Sequence, residues 1–280
     1  MNNDKNFALI GLGVMGEAIL LGLIKKHVVS AGHINGADPQ LERLSQLQQT
    51  FNFKSQPDNV KAVQDADVVI LCIKPQKLPE VMQILRGHIP PHALVLSIIA
   101  GATIKSLVEG LDHPSVVRAM PNTPAQIGEG MTVWTQSQQI SDQQHALAQE
   151  ILEAFGREIF VEEETYIDMA TAVSGTGPAY VFLFLEAMID AGVHLGLPRR
   201  IAEEMVVQTM KGSVAYFTKN NAHPARLRNQ VTSPGGTSAT ALYYLEKMGF
   251  RTAISRAVWA AFTRSQELGK GQKHQDPEKI

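Results

Sequence analysis

The sequence predicts an α/β fold: a doubly wound parallel sheet in the first half of the chain and helices alone in the second. Three observations predict it. The chain opens on a strand, a glycine turn and a helix in direct succession. Short β-branched runs then alternate with helical stretches as far as Val161. From Thr165 onward no strand pattern appears.

The opening strand, Phe7-Ala8-Leu9-Ile10, runs into Gly11-Leu12-Gly13-Val14-Met15-Gly16, and Glu17 to Val29 reads as a helix. This order suits a Rossmann-type dinucleotide-binding turn. Gly11 makes the tight turn, Gly13 lets a pyrophosphate reach the backbone, and Gly16 lets helix and strand pack closely. A weaker strand, Ile34 to Ala37, ends at Asp38. An acid about twenty residues past the fingerprint bonds the ribose hydroxyls and favours NAD. Directly before Pro39 it can equally cap a helix over Gln40 to Gln49. NADH against NADPH therefore stays open. Arg43 reads as a phosphate partner or as a solvated helix residue.

Val68 to Ile73, Ala93 to Ile99 and Ser115 to Met120 are apolar, β-branched strands. Helices fall between them at Leu78 to Arg86 and Ile104 to Gly110, the latter begun by Thr103. Ligands of such sheets lie outside the carboxyl ends of the strands. Lys74-Pro75, Ala100-Gly101 and Asn122-Thr123 are therefore expected to border one crevice, although each alone is an ordinary strand-to-helix turn. Ser141 to Phe155 is an amphipathic helix and Glu158 to Val161 an edge strand. Glu162-Glu163-Glu164 then breaks the pattern. The expected division is a dinucleotide-binding domain over 1–163, a helical domain over 164–270 and a polar tail over 271–280.

In the second half, Ile167 to Val173 is helical and Ser174-Gly175-Thr176-Gly177-Pro178 punctuates it. Ala179 to Gly192 is apolar nearly all round, which predicts a helix buried on most faces. Tyr180 to Leu195 carries Glu186 and Asp190 and is short for a bilayer, so no membrane is expected. Either this helix is the centre of the chain's own bundle or a homodimer covers it, the second being preferred. Helices follow at Arg199 to Phe217, after His223-Pro224, at Ala241 to Gly249 and at Arg251 to Leu268. Between the second and third of these lies Val231-Thr232-Ser233-Pro234-Gly235-Gly236-Thr237-Ser238. Pro234 fixes φ, and the two glycines let the backbone turn and approach a ligand. Free N–H groups leading into a helix at Thr237 attract an anion, and Thr237 and Ser238 add hydroxyls. The stretch reads as a carboxylate seat or as a glycine-rich connection.

The net charge of −2 gives no electrostatic case for nucleic acid or an anionic membrane. Cys72 is the only cysteine, which excludes an intrachain disulfide and suits the cytoplasm. Met1 to Asn6 lacks the apolar run of a secretory signal. No metal site shows by spacing: His88 and His92 are separated by Pro90-Pro91. No histidine stands in the glycine motifs to protonate an alkoxide. An imine, which can enter already protonated, needs mainly orientation and hydrogen bonds, and suits these motifs better than a carbonyl.

Taken in order, Gly11 to Ala18, Val69 to Gln76, Ser97 to Gly101, Arg118 to Pro124, Ser174 to Tyr180, Ala187 to Arg199 and Val231 to Ser238 resemble pyrroline-5-carboxylate reductases over nearly the whole chain. The resemblance implies reduction of 1-pyrroline-5-carboxylate to L-proline with NADPH or NADH. It implies a helical dimerisation domain and further assembly as a pentamer of dimers. It assigns cofactor contacts to Gly11, Leu12, Gly13, Val14, Met15, Gly16, Asn59, Lys74, Pro75, Ala100 and Gly101. It seats the imino acid at Ser233, Gly236, Thr237 and Ser238, with the Ser238 hydroxyl facing the ring nitrogen and Glu164 and Gln230 nearby. The chain departs from the family's pattern at Ser238, where threonine is usual, and at Thr176, Ile99 and Gln230. The alternatives are a reductase of another imine or of a β-hydroxyacid, and a dinucleotide-binding regulator without turnover. The β-hydroxyacid family's helical Lys-x-x-Asn pair is missing.

Overall fold

The computed structural model describes residues 4–269; the expected polar tail, 271–280, lies outside them. The strands are β1 Phe7–Ile10, β2 Ile34–Ala37, β3 Lys54–Gln56, β4 Val68–Leu71, β5 Leu94–Ser97, β6 Val116–Met120, β7 Gly130–Gln136 and β8 Gly156–Phe160. The helices are α1 Val14–Lys25, α2 Leu41–Phe51, α3 Asn59–Val63, α4 Leu78–Leu85, α5 Ile104–Leu111, α6 Asp142–Glu153, α7 Thr165–Ala170, α8 Gly177–His194, α9 Arg199–Asn220, α10 Pro224–Gln230, α11 Thr237–Lys247 and α12 Phe250–Gly269. They form two compact units, Ala179–Trp259 being one, and the rest of the described chain, up to Pro178 and from Ala260, the other. The acidic break at Glu162 to Glu164 therefore falls inside the first unit, because α7 packs on β6 and β7.

In the first unit the sheet order is β3-β2-β1-β4-β5-β6-β7-β8. All pairings are parallel except β6 with β7. β1, β4 and β5 are buried along their whole length, as strands covered on both faces must be. Alternate residues feed two cores. Phe7 and Leu9 join Ile19, Leu23 and Ile151 on one face; Ala8 and Ile10 join Val81 and Leu107 on the other. At about 1.5–3 kcal/mol for each large apolar side chain withdrawn from water, these two layers carry the unit. Trp134 of β7 is fully buried, with its indole N–H donated to Glu158 and its ring against His145 and Phe160.

Local chemistry sets the helix starts. Thr103 Oγ1 accepts the Ser106 N–H ahead of α5, and Ser141 with Gln144 closes a capping box ahead of α6. The order reverses on either side of β1, so the carboxyl ends of β1 and β4 open onto a crevice at the switch point.

The second unit is helical throughout. The burial expected of α8 is not supplied by the described residues of one chain. No residue of α8 is buried, and Phe182 and Leu183 are 62% and 67% exposed. The stretch Thr165–His194 has the length and apolarity of a membrane span, with 6% of its most apolar window buried. An all-round apolar sequence states that a helix needs cover; the described residues do not supply it, so among them the reading of α8 as the centre of the chain's own bundle fails. Trp259 on α12 is likewise 70% exposed.

Candidate active site

The crevice is a cleft of about 640 Å³ whose lining includes Gly11, Gly13, Val14, Asp38, Asn59 and Lys74. Its shape comes from the glycines. Gly11 turns at φ +92°, and a Cβ there would lie 2.9 Å from the Cys72 carbonyl oxygen. A Cβ on Gly16 would lie 2.1 Å from the Gly11 carbonyl oxygen, so α1 approaches β1 only because that atom is missing. Around Gly13 nothing lies within 4 Å of the same construction. The backbone is bare there, and Gly13 is the N-cap of α1 with no side chain taking the free amides. A bare helix N-terminus in a cleft fits a dinucleotide pyrophosphate. Leu12 and Gly16 are buried, Met15 half-buried and Val14 exposed. Cys72 lies in the same lining, and burial pushes its thiol up to about 12, so it stays an uncharged wall of the cleft.

Asp38 closes β2. Its Oδ2 accepts the Leu12 N–H at 2.8 Å and its Oδ1 the Gln40 N–H at 2.9 Å. The side chain thus both braces the glycine turn and leads the chain toward α2. Arg43 is half-buried rather than free on a solvated face: its Nε donates to the Leu12 carbonyl and its Nη2 to Glu17, both at 2.6 Å. Asn59 begins α3, whose first amides are capped by Asp58. Lys74 precedes a tight turn, Pro75–Lys77, with Pro75 at its first position.

The other two strand ends behave differently. Gly101, at φ +77°, is packed against α12: a Cβ there would lie 2.9 Å from the Leu268 Cβ. Asn122 accepts the Met131 N–H and donates to the Ser174 carbonyl. It thereby docks the end of β6 onto a π turn, Thr171–Gly175, at the punctuating Ser-Gly-Thr-Gly-Pro stretch. Of the three turns expected to share one crevice, only Lys74 lines this cleft.

One group was not anticipated. Arg118, on β6, is 2% exposed, and its two Nη atoms donate to Glu164 Oε1 and Asp168 Oδ1, each at 2.8 Å. Glu164 Oε1 also accepts the Ile104 N–H at the start of α5, and Asp168 Oδ1 accepts from Ser265 on α12. The network clamps the turn after Ala100-Gly101 to α7 and α12. The signal for it was a lone charge inside the apolar run Val116-Val117-Arg118-Ala119-Met120.

In the helical unit the stretch before α11 turns through Gly235 at φ +71°. A Cβ on Gly236 would lie 2.6 Å from Ser233 Oγ, so a larger residue there would displace that hydroxyl. Gly236 is the N-cap of α11 and offers no side-chain acceptor. The amides of Thr237, Ser238 and Ala239 therefore have no intrahelical partner and face out of the helix end. Ser238 is half-buried beside them, while Ser233, Thr237 and Gln230 are exposed.

Residues 164–268 match the family model described as pyrroline-5-carboxylate reductase dimerisation, and residues 6–101 match that described as NADP oxidoreductase, coenzyme F420-dependent. The chain is 43% identical over 262 residues to the pyrroline-5-carboxylate reductase of Synechocystis, covering 94% of this chain and 97% of that one. It is 36% identical over 268 residues to that of Escherichia coli, covering 95% and 99%. The NADP-bound pyrroline carboxylate reductase structure from Plasmodium falciparum superposes with a TM-score of 0.88 at 30% identity, over 95% of this chain and 99% of that one. Glycine-cradled cleft, Gly-Gly turn and full-length similarity agree: the chain belongs to the pyrroline-5-carboxylate reductase family.

Proposed function

We propose that the protein reduces 1-pyrroline-5-carboxylate to L-proline with NAD(P)H, the last step of proline synthesis. The observation that carries this is the seat at α11: three unpaired amides behind a Gly-Gly turn, with a hydroxyl at Ser238. The amides of Thr237, Ser238 and Ala239 bind the substrate carboxylate, which fixes the ring. The Ser238 hydroxyl accepts from the protonated ring nitrogen, and Gly236 leaves the backbone bare. Gln230, Ser233 and Glu164 border the substrate. Gly11 to Gly16, Asp38, Asn59, Lys74, Pro75, Ala100 and Gly101 would hold NAD(P)H, whose chemistry when bound would be hydride donation to the C=N carbon. The imine arrives protonated, so reduction yields the secondary amine with no protein acid. Orientation is then the main contribution, on the order of 7–11 kcal/mol when reactants are well aligned.

A second copy of the chain covers α8, and such dimers assemble further into a decamer in the cytoplasm. The dimerisation match over residues 164–268 and the uncovered apolar surface of α8 support the pairing. The test is turnover: purified protein mixed with the imine and reduced nicotinamide consumes absorbance and yields L-proline by chiral chromatography. Ser238→Ala lowers kcat by about tenfold or more, the loss of one transition-state hydrogen bond. Unchanged turnover removes Ser238 from the mechanism.

A further inference from the structure

Asp38 stands where the adenosine ribose of a dinucleotide sits, at the carboxyl end of the strand after the glycine turn. It lines the cleft and is 8% exposed. Two backbone amides, those of Leu12 and Gln40, hold its two oxygens in place. A carboxylate has about four acceptor sites, so two backbone donors leave room for ribose hydroxyls.

The cations of the cleft are poorly placed to offset that charge for a phosphate at the ribose 2′ position. Arg43 gives Nε to the Leu12 carbonyl and Nη2 to Glu17, so its charge is already paired with a carboxylate. Lys77 pairs with Glu80 at 2.9 Å. Lys74 follows β4, which is separated from β2 by β1, and two strand spacings are roughly 10 Å. A 2′-hydroxyl finds an acceptor at Asp38; a 2′-phosphate meets a fixed like charge.

We infer that the cleft selects NADH over NADPH, with the Asp38 carboxylate as the selecting group. The inference rests on the dinucleotide reading of the cleft. It sets this chain apart from the relative whose structure holds NADP.

Calorimetric titration without substrate tests it, using 5′-ADP, 2′,5′-ADP, NADH and NADPH as probes. Wild-type protein is expected to bind 5′-ADP and NADH at least about tenfold more tightly than their 2′-phosphorylated counterparts, since a 2′-phosphate faces a fixed like charge. Asp38→Asn and Asp38→Ser, each checked for an unchanged melting temperature, shift that ratio about tenfold toward the phosphorylated probes. Arg43→Ala leaves the ratio unchanged. Tighter binding of 2′,5′-ADP and NADPH by the wild type overturns the inference, as does a ratio unmoved in both Asp38 variants. A selective loss of 2′,5′-ADP binding in Arg43→Ala also overturns it, because Arg43 is then a phosphate partner. If none of the four probes binds, the dinucleotide reading itself falls and takes the selection with it.

Discussion

A guanidinium 2% exposed inside a sheet survives only because two carboxylates meet it, from 46 and 50 residues downstream. Arg118 is buried more deeply than its partners Glu164 and Asp168, so removing it strands two partly shielded negative charges. Arg118→Met is expected to lower unfolding stability by about 3 kcal/mol, read from urea denaturation at constant m-value. A loss below about 1 kcal/mol would show that water screens those carboxylates unaided. At this scale the chain was unevenly legible. Gly11, Gly13 and Gly16 announce themselves because local sterics fix their positions. The partners of Arg118 do not, because nothing nearby in sequence points to residues so distant. Glu164 illustrates the same limit: the family resemblance puts it near substrate, while its Oε1 is engaged by Arg118 and the Ile104 amide.

Among elements, the strand–glycine–helix unit separates two roles that the sequence pattern merges. Gly16→Ala forces a Cβ onto a backbone oxygen that cannot yield, and should cost about 1–3 kcal/mol of stability. Gly13→Ala meets open space and should fold within about 0.5 kcal/mol of wild type. Its side chain then stands where the pyrophosphate must approach, so dinucleotide affinity falls while the melting temperature holds. Thermal melting and cofactor titration of both variants check the pair; equal losses of stability would refute the division. Six of the eight strands are legible in the sequence, but β3 and β7 are not. β3 is three polar residues that pair only at an edge. β7 alternates around a buried Trp134 but returns antiparallel to β6, which a strictly alternating βα pattern does not suggest.

For the whole molecule, the informative feature is apolar surface left in water. Phe182, Leu183, Tyr243, Tyr244 and Met248 are each at least 60% exposed in the helical unit, and apolar surface of this kind marks a pairing face when it is contiguous. Phe182→Glu with Leu183→Glu is expected to give a monomer by light scattering, with turnover falling by at least about tenfold if assembly orders the substrate seat. A double variant that stays dimeric would place the pairing surface elsewhere. The sequence shows that α8 needs cover but not whether its own chain provides it, since burial within and between chains leaves the same apolar pattern.

The two tryptophans divide neatly between these environments. Trp134 is sealed in the sheet and Trp259 stands in solvent on the helical unit. The protein thus carries two native fluorophores of contrasting polarity, one per unit. Short-wavelength emission belongs to the sheet and long-wavelength emission to the helices, so one unlabelled spectrum follows melting of the first and docking at the second as separate colours.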